Sequence, residues 1–171
     1  MGYLAAWFII TILLLLFTLI RHHPYRFTRF LVFESLLGLI FLNAEFWFLN
    51  PLSAIQIISW IFLASSIFLA AHGFSLIKTK GNPAGDFEDT TSLITTGAYR
   101  FIRHPLYGSL LLFGVGGFLK SPSILGAGLV GTLILGVVLT VRIEEKHNLE
   151  RFGEEYREYS EKTKRLIPFI Y

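Results

Sequence analysis

The chain has 171 residues, of which 53% are hydrophobic and only 16% are charged, and its mean hydropathy is +0.59. This composition is too apolar for an ordinary water-soluble domain and favours a protein embedded in a lipid bilayer. Because the chain has no cysteine, disulfide frameworks and thiolate metal sites are excluded, and its net charge of +3 accompanies no motif typical of nucleic-acid binding.

Five apolar stretches approach the roughly 20 residues that an α-helix needs to cross a bilayer. In chain order they cover residues 3–20, 31–49, 52–77, 105–119 and 123–141. The first has no basic residues before it and no small-residue cleavage pattern after it, so we interpret it as a retained helix and not as a signal peptide. The predicted fold is an all-α membrane protein with five transmembrane helices.

The fourth and fifth stretches are joined only by Lys120-Ser121-Pro122, a turn so short that it predicts a helical hairpin. Both stretches are rich in glycine, which lets helix backbones approach closely in a membrane. We therefore expect these two helices to pack on each other through two sets of glycines: Gly108, Gly114, Gly116 and Gly117 on the fourth, and Gly126, Gly128, Gly131 and Gly136 on the fifth.

Residues 142–164 change in character, because acidic and basic residues alternate while apolar residues recur every three or four positions. This spacing predicts an amphipathic helix that continues the fifth span, with Gly153 as the point where it bends. We divide the chain into three variable transmembrane helices in residues 1–77 and one integrated domain in residues 78–171. The second part combines the long loop that precedes the fourth helix, the hairpin and the C-terminal helix.

The basic residues indicate an orientation, because lysine and arginine are retained on the cytoplasmic side of a membrane. With five spans, segments 21–30, 78–104 and 142–171 share one face and hold three, four and seven of these residues, together 14 of the 15. The N-terminus is therefore expected outside and the C-terminal helix in the cytoplasm. The basic face would meet membrane lipids, and no nucleic-acid partner is predicted.

The longest segment without a helical pattern covers residues 78–104, and loops of this length are usually functional in a compact protein. It ends in a cluster of arginine, histidine and tyrosine, and Pro105 then suits the first turn of the fourth helix. Glu144 and Glu145 follow the fifth span on the same face. These groups suit a charged or zwitterionic cofactor. The alternatives are a basic anchor for lipid headgroups and two glutamates that only pair on a solvated helix.

The order and spacing of these residues resemble the isoprenylcysteine carboxyl methyltransferases and their relatives, the phospholipid methyltransferases. The resemblance covers residues 91–171 and rests on five short motifs: Gly97-x-Tyr99, Arg103-His104-Pro105-x-Tyr107-x-Ser109, Glu144-Glu145, Phe152-Gly153-x-x-Tyr156-x-x-Tyr159 and Ile167-Pro168. It implies an enzyme that binds S-adenosylmethionine without a Rossmann domain. Its acceptor would be amphiphilic or lipid-linked, such as a prenylated cysteine carboxylate or a phospholipid amine.

The same resemblance implies a set of cofactor-binding residues: Thr91, Leu93, Ile94, Tyr99, His104, Pro105, Leu106, Tyr107 and Glu144. The carboxylate of Glu144 would pair with the ammonium of the methionine part, and aromatic faces attract a sulfonium through cation–π contact. No metal site is predicted.

Three residues are candidates for catalysis: Glu145, Arg142 and Glu34. A carboxylate acceptor needs no general base, whereas an amine needs a proton acceptor, for which Glu145 or His104 is available. An acid inside a span is costly and usually faces the bundle interior, so we place Glu34 near the acceptor.

The resemblance leads us to expect an arginine about one turn before Glu144, but Thr140 stands there and Arg142 lies two positions further on. The identity of the acceptor therefore stays open. Two other functions stay open as well. One is an NADPH-dependent membrane enzyme resembling the sterol reductases, which would need more basic residues in its pocket than Arg100 and Arg103. The other is a non-catalytic membrane adaptor, and the sequence leaves the oligomeric state undecided.

Overall fold

The structure, a computed structural model, describes residues 2–20, 25–82 and 90–168. Within these ranges the chain forms five α-helices and no named strand: α1 Gly2–Ile20, α2 Arg26–Leu42, α3 Ala54–Lys80, α4 Pro105–Phe118 and α5 Ile124–Lys162. Two short 3-10 turns, Ala44–Phe46 and Gly97–Arg100, precede α3 and α4. The predicted all-helical architecture is confirmed.

α3 and α5 are the two described helices that are long and apolar enough to cross a membrane, and the apolar helices Ala5–Ile20 and Pro105–Phe118 are shorter. Large apolar side chains face outward along the bundle, including Ile20, Ile67, Phe68 and Ile124, which are 66–96% exposed. Exposed apolar surface of this extent is unfavourable in water and is expected where helices face lipid. These features are those of an integral membrane protein.

Three boundaries differ from or refine the prediction. α2 ends at Leu42, well before residue 49, because Asn43 is buried and its side-chain Nδ2 donates to the carbonyl oxygen of Gly117 at 2.8 Å. α3 continues to Lys80, where lysines in the last turn interact favourably with the helix dipole. α5 includes the predicted amphipathic tail and bends at Gly153, whose φ of 56° lies in the left-handed region. Residues 83–89, the first part of the predicted loop, lie outside the described residues.

The expected packing of the two glycine-rich helices against each other is correct only in part. A Cβ placed at Gly114 would meet Leu133 of α5, but one at Gly116 would meet Leu63 of α3. On α5, a Cβ at Gly136 would meet Val32 of α2, whereas Gly128 and Gly131 have nothing within 4 Å. The glycines of α4 and α5 therefore allow close contacts with α3 and α2 as well as the predicted contact between α4 and α5, where a Cβ at Gly126 would meet Phe118.

Buried hydroxyls reinforce these contacts between neighbouring helices. Ser59 Oγ of α3 donates to the carbonyl oxygen of Gly116 at 2.7 Å, and Ser66 Oγ donates to that of Ser109 at 2.8 Å. Thr140 of α5 donates to Thr28 of α2 at 2.7 Å. The last contact places the first turn of α2 beside the part of α5 that leads to the two glutamates.

Gly136→Ala is expected to lower the free energy of unfolding by about 1–3 kcal/mol, while Gly131→Ala is expected to be neutral or stabilising by up to about 1 kcal/mol. The added methyl at residue 136 would lie 2.9 Å from Val32 Cγ2 and 3.2 Å from the carbonyl oxygen of Thr28, so α2 would have to move. At residue 131 the methyl meets open space. Denaturation of both variants in the same detergent checks this, and equal effects would contradict the assigned packing.

Candidate active site

Two distant parts of the chain meet at one end of the bundle. The backbone N–H of Arg103 donates to the carbonyl oxygen of Lys164 at 2.7 Å, and that of His104 donates to Arg165 at 3.0 Å. The backbone N–H of Lys164 donates in turn to the carbonyl oxygen of Phe101 at 3.2 Å. The segment after α5 therefore lies alongside the residues before α4 and fixes the backbone at the entrance to that helix.

A cavity of about 660 Å³ opens at this end and extends into the bundle. Its apolar wall is built by side chains of α1 to α4, among them Leu14, Phe17, Phe33, Ala70 and Leu110. Its polar wall is built by Arg29, Tyr99, His104, Tyr107 and Glu144. Phe33 and Leu110 each lie about one helical turn beyond the polar residues of the same helix, so the cavity passes from a charged end to an apolar one.

Glu144 is the centre of the polar wall. Its Oε1 accepts hydrogen bonds from Arg29 Nη2 at 2.7 Å and from Tyr107 Oη at 2.5 Å, and its Oε2 lies 3.6 Å from His104 Nδ1. Burial alone would raise the pKa of this carboxyl. The hydrogen bond and charge of His104, together with the charge of Arg29, outweigh burial and hold the pKa below its usual range. Glu144 is therefore ionised at neutral pH.

His104 bridges the two glutamates, because its Nε2 lies 3.3 Å from Glu145 Oε1 while its Nδ1 faces Glu144. Burial would lower the pKa of this imidazole, but the hydrogen bonds and charges of both carboxylates outweigh burial and raise the pKa above its ordinary value. The sequence prediction that the His-Pro segment and the paired glutamates converge agrees with this geometry.

Glu145 holds the surrounding segments together. Its Oε1 accepts from Arg103 Nε at 2.5 Å, its Oε2 accepts from Arg165 Nε at 2.8 Å, and Tyr156 Oη donates to Oε1 at 3.4 Å. Burial would raise the pKa of this carboxyl, but hydrogen bonds from His104 and the two arginines hold it well below the usual range. Both oxygens are thus engaged by cations, and Glu145 lies behind the cavity wall instead of on it.

Stability is expected to be greatest between about pH 4.5 and 6.5. The raised pKa of His104 means that its contribution is complete below the ordinary value of 6.5 and is lost as the pH rises through the raised value. The lowered pKa values of Glu144 and Glu145 mean that their contribution to stability is complete above pH 4.5 and is lost as the pH falls.

His104→Asn is expected to lower the free energy of unfolding by about 3 kcal/mol at pH 6 and by less at alkaline pH. Denaturation titrations at pH 6 and pH 9 check this, and an equal loss at both would contradict it.

The structure brings most of the predicted cofactor residues to the cavity, and five predicted residues do not line it: Thr91, Pro105, Arg142, Glu34 and Glu145. Leu93, Ile94, Tyr99, His104, Leu106, Tyr107 and Glu144 line the cavity. Thr91 is exposed and its backbone N–H donates to the carbonyl oxygen of Gly81, while Pro105 is buried behind the cavity surface. Arg142 is exposed on α5 and does not border the cavity.

Glu34 also lies away from the cavity. Its carboxylate accepts hydrogen bonds from Trp7 Nε1 at 2.9 Å and from Thr11 Oγ1 at 3.0 Å, so it joins α2 to α1. The hydrogen bonds from these donors on the neighbouring helix offset the free energy that burying a carboxylate in an apolar helix costs. The placement of Glu34 near an acceptor is therefore not supported by the geometry.

Arg29 is one of the polar cavity residues that the sequence prediction missed; Arg26, His147, Asn148 and Arg151 also line the cavity. It stands in the first turn of α2, its Nη2 also contacts Tyr107 Oη at 2.9 Å, and its guanidinium lies 4.2 Å from the ring centre of Tyr25. The basic segment 21–30 was interpreted only as an orientation feature. Nothing in the sequence distinguishes Arg29 from Arg21 and Arg26, because its partners Tyr107 and Glu144 lie far along the chain.

Residues 54–155 match the phospholipid methyltransferase family. The chain is 32% identical over 130 residues to the probable protein-S-isoprenylcysteine O-methyltransferase of Oryza sativa subsp. indica, covering 74% of this chain and 64% of the rice protein. It is 26% identical over 121 residues to methanethiol S-methyltransferase 1 of Bradyrhizobium diazoefficiens, covering 69% and 41%. It is 34% identical over 108 residues to the protein-S-isoprenylcysteine O-methyltransferase of Saccharomyces cerevisiae, covering 59% and 41%. The chain spans less than two thirds of the length of each of these relatives.

Proposed function

The chain belongs to the phospholipid methyltransferase family, and from that membership we propose that it is an integral membrane methyltransferase. The acceptor would be amphiphilic, and the methyl donor would be S-adenosylmethionine. One observation carries the proposal: a single cavity joins the charged cluster around Glu144 to an apolar wall built by four helices. A polar donor and a lipid-like acceptor could then meet at the boundary between the two walls.

The residues present fit this cofactor. The ionised carboxylate of Glu144 suits the ammonium of its amino-acid part, and the aromatic rings of Tyr99 and Tyr107 suit its sulfonium. Leu93 and Ile94 add an apolar surface on the loop. The cavity volume also lies within the range of about 300–1,000 Å³ that is usual for sites that bind small molecules. When bound, the cofactor supplies a methyl group attached to positively charged sulfur.

The chain's own residues would hold the reactants in position and keep water away. Arg29, His104 and Tyr107 fix Glu144 through three contacts, so the carboxylate is oriented before a ligand arrives. Orientation of this kind supplies much of the rate of a reaction between two bound molecules. Glu145 would not contact the reactants. It accepts hydrogen bonds from Arg103 and Arg165 and so holds the segment after α5 beside the start of α4.

The proposal includes five membrane spans, with the N-terminus outside and the C-terminal helix in the cytoplasm. The lengths and compositions of α3 and α5 support spanning directly. The basic residues support the orientation, because Arg29, Arg103 and Arg165 meet around the two glutamates at one end of the bundle. Lys120, the one lysine or arginine that the five spans assign to the opposite face, lies in the turn between α4 and α5. It contacts Trp60 and Gln56 of α3.

The two alternative functions, an NADPH-dependent reductase and a non-catalytic adaptor, are not favoured by the relatives, which are named as methyltransferases. Calorimetry on the detergent-purified chain with S-adenosylhomocysteine and NADPH in parallel tests the proposal. Labelled S-adenosylmethionine incubated with total lipid extract and prenylcysteine analogues then tests transfer. We expect binding of S-adenosylhomocysteine and label in a lipid-soluble product. Binding of NADPH alone, or of neither compound, would reject the proposal.

A further inference from the structure

The 3-10 turn Gly97–Arg100 brings Tyr99 to the cavity wall and is held from two sides. On one side, Tyr159 Oη of α5 donates to the carbonyl oxygen of Tyr99 at 2.6 Å. On the other side, the backbone N–H of Ala98 donates to His72 Nε2 of α3 at 3.3 Å. His72 does not border the cavity, so an effect of this residue on a bound ligand must pass through the turn.

The approach of the turn to α3 is close enough to require glycine at residue 97. Gly97 has a φ of 61°, which lies in the left-handed region that side chains disfavour. A Cβ at this residue would lie 2.7 Å from His72 Nε2 and 2.7 Å from Leu76 Cδ1. The backbone of the turn therefore packs directly against the imidazole.

The surroundings of His72 fix its ring and limit the access of water. The imidazole stacks on Phe68, one helical turn earlier on α3, with the ring centroids 6.2 Å apart and the ring planes 2° from parallel. Phe68 and Ile67 are exposed apolar side chains, as expected on a surface that faces lipid. Water that could pair with the Ala98 N–H in place of His72 is scarce on such a surface, so the contact with Nε2 is worth more there.

The contact also requires an unprotonated Nε2, because a ring nitrogen that carries a hydrogen donates and cannot accept. Neither α3 nor the turn contains an acidic residue, and their charged residues are the cations Lys78, Lys80 and Arg100. Within the described ranges, His72 forms no ion pair. A protonated His72 would therefore lack a carboxylate partner on these elements and would present a donor to the Ala98 N–H.

We propose, on the basis of the function proposed above, that His72 is a positioning residue whose neutral imidazole holds the turn so that Tyr99 is presented to the methyl donor. A ring that is fixed before the ligand arrives loses less conformational entropy on binding. The turn keeps its bond to Tyr159 when the contact with His72 is lost. Loss of this contact therefore weakens cofactor binding without abolishing it, and protonation of His72 has the same effect as its removal.

The test compares His72→Leu, which has no acceptor, with His72→Gln, which offers a side-chain carbonyl oxygen in place of Nε2. Calorimetry at about pH 8 should find that His72→Leu weakens binding of S-adenosylhomocysteine about three- to tenfold, as loss of one hydrogen bond predicts, while His72→Gln stays within about twofold. Ala71→Leu is the matched control, because it places the same side chain on the adjacent exposed residue of α3, and it should bind like the unchanged chain. Equal weakening in His72→Leu and His72→Gln, or in neither, would overturn the proposal.

A pH series separates positioning by a neutral imidazole from a merely structural role. Between about pH 8 and about pH 5, the affinity of the unchanged chain for S-adenosylhomocysteine should fall about three- to tenfold more than that of His72→Gln. His104 and Glu144 titrate in both proteins, so the difference between the two profiles reports His72 alone. Parallel profiles would contradict the proposal.

Hydrogen exchange without cofactor distinguishes failure of this proposal from failure of the proposed function. Exchange of the peptide that contains Ala98 should be faster in His72→Leu than in the unchanged chain, His72→Gln and Ala71→Leu. Unchanged exchange in His72→Leu, in a chain that binds S-adenosylhomocysteine, would overturn only the role of His72. A chain that binds no S-adenosylhomocysteine would reject the proposed function, and with it a role of His72 in cofactor binding, whatever the exchange shows.

Discussion

Glu144→Gln is expected to abolish binding of S-adenosylhomocysteine and to lower methyl transfer by about 100- to 1,000-fold. The substitution keeps the size of the side chain and removes its charge, which leaves Arg29 and His104 beside a neutral amide. Removing one partner of a buried ion pair costs about 3–5 kcal/mol, and each factor of ten corresponds to about 1.4 kcal/mol. Calorimetry with S-adenosylhomocysteine and a transfer assay with labelled cofactor measure the two effects.

Glu150→Gln is the matched control for that substitution. Glu150 lies on the same helix, and its substitution likewise replaces a carboxylate by an amide. Its side chain is exposed and does not border the cavity. The Glu150→Gln variant is expected to bind S-adenosylhomocysteine and to transfer methyl groups like the unchanged chain. If both variants lost activity equally, or if Glu144→Gln still bound the ligand with full affinity, Glu144 could not be the group that holds the cofactor.

The helices could be predicted from the sequence because their physical cause is local. Long apolar runs and the three-to-four residue spacing in residues 142–164 determine where helices form, and α5 runs through both patterns as expected. The end of α2 could not be predicted in the same way. It depends on the bond from Asn43 to the carbonyl oxygen of Gly117, which is distant in sequence.

The candidate site was predictable where its members lie in one ordered set of motifs. His104, Tyr107 and Glu144 belong to such motifs, and all three line the cavity. Arg29 was missed because nothing near it in the sequence marks its partners, which lie 78 and 115 residues away. Glu34 illustrates the opposite error. An acid in a span implies a buried partner, but the sequence alone could not indicate that Trp7 and Thr11 provide it.

The predicted pairing of glycines was correct only in part, for a related reason. Glycine on a helix indicates that something approaches closely, but it does not specify which helix approaches. α3 packs against Gly116 and α2 packs against Gly136, although the short turn at residues 120–122 made α4 and α5 the obvious partners. Sequence proximity predicted the hairpin, and packing against helices earlier in the chain determined which glycines are used.

Arg103→Ala is expected to lower the free energy of unfolding by about 3–5 kcal/mol. Its Nε donates to Glu145 at 2.5 Å, and its Nη1 donates to the carbonyl oxygens of Ser160 at 2.9 Å and Thr163 at 2.6 Å. The side chain is only 7% exposed, so water cannot replace the lost donors. The end of α5 would lose these contacts with Arg103, while the backbone bonds between residues 101–104 and 164–165 and the pair of Arg165 with Glu145 would remain.

The exposed pair of Arg157 and Glu154 provides the comparison that isolates burial as the cause. These side chains are 61% and 70% exposed, and their closest charged atoms are 3.4 Å apart. Arg157→Ala is therefore expected to change the free energy of unfolding by less than about 0.5 kcal/mol. Denaturation in detergent measures both variants, and limited proteolysis after α5 should become faster only in Arg103→Ala. If Arg157→Ala cost as much as Arg103→Ala, the destabilisation would reflect loss of any arginine on this face. If only Arg103→Ala unfolds early, the buried contacts of Arg103 attach the C-terminal segment to the candidate active site.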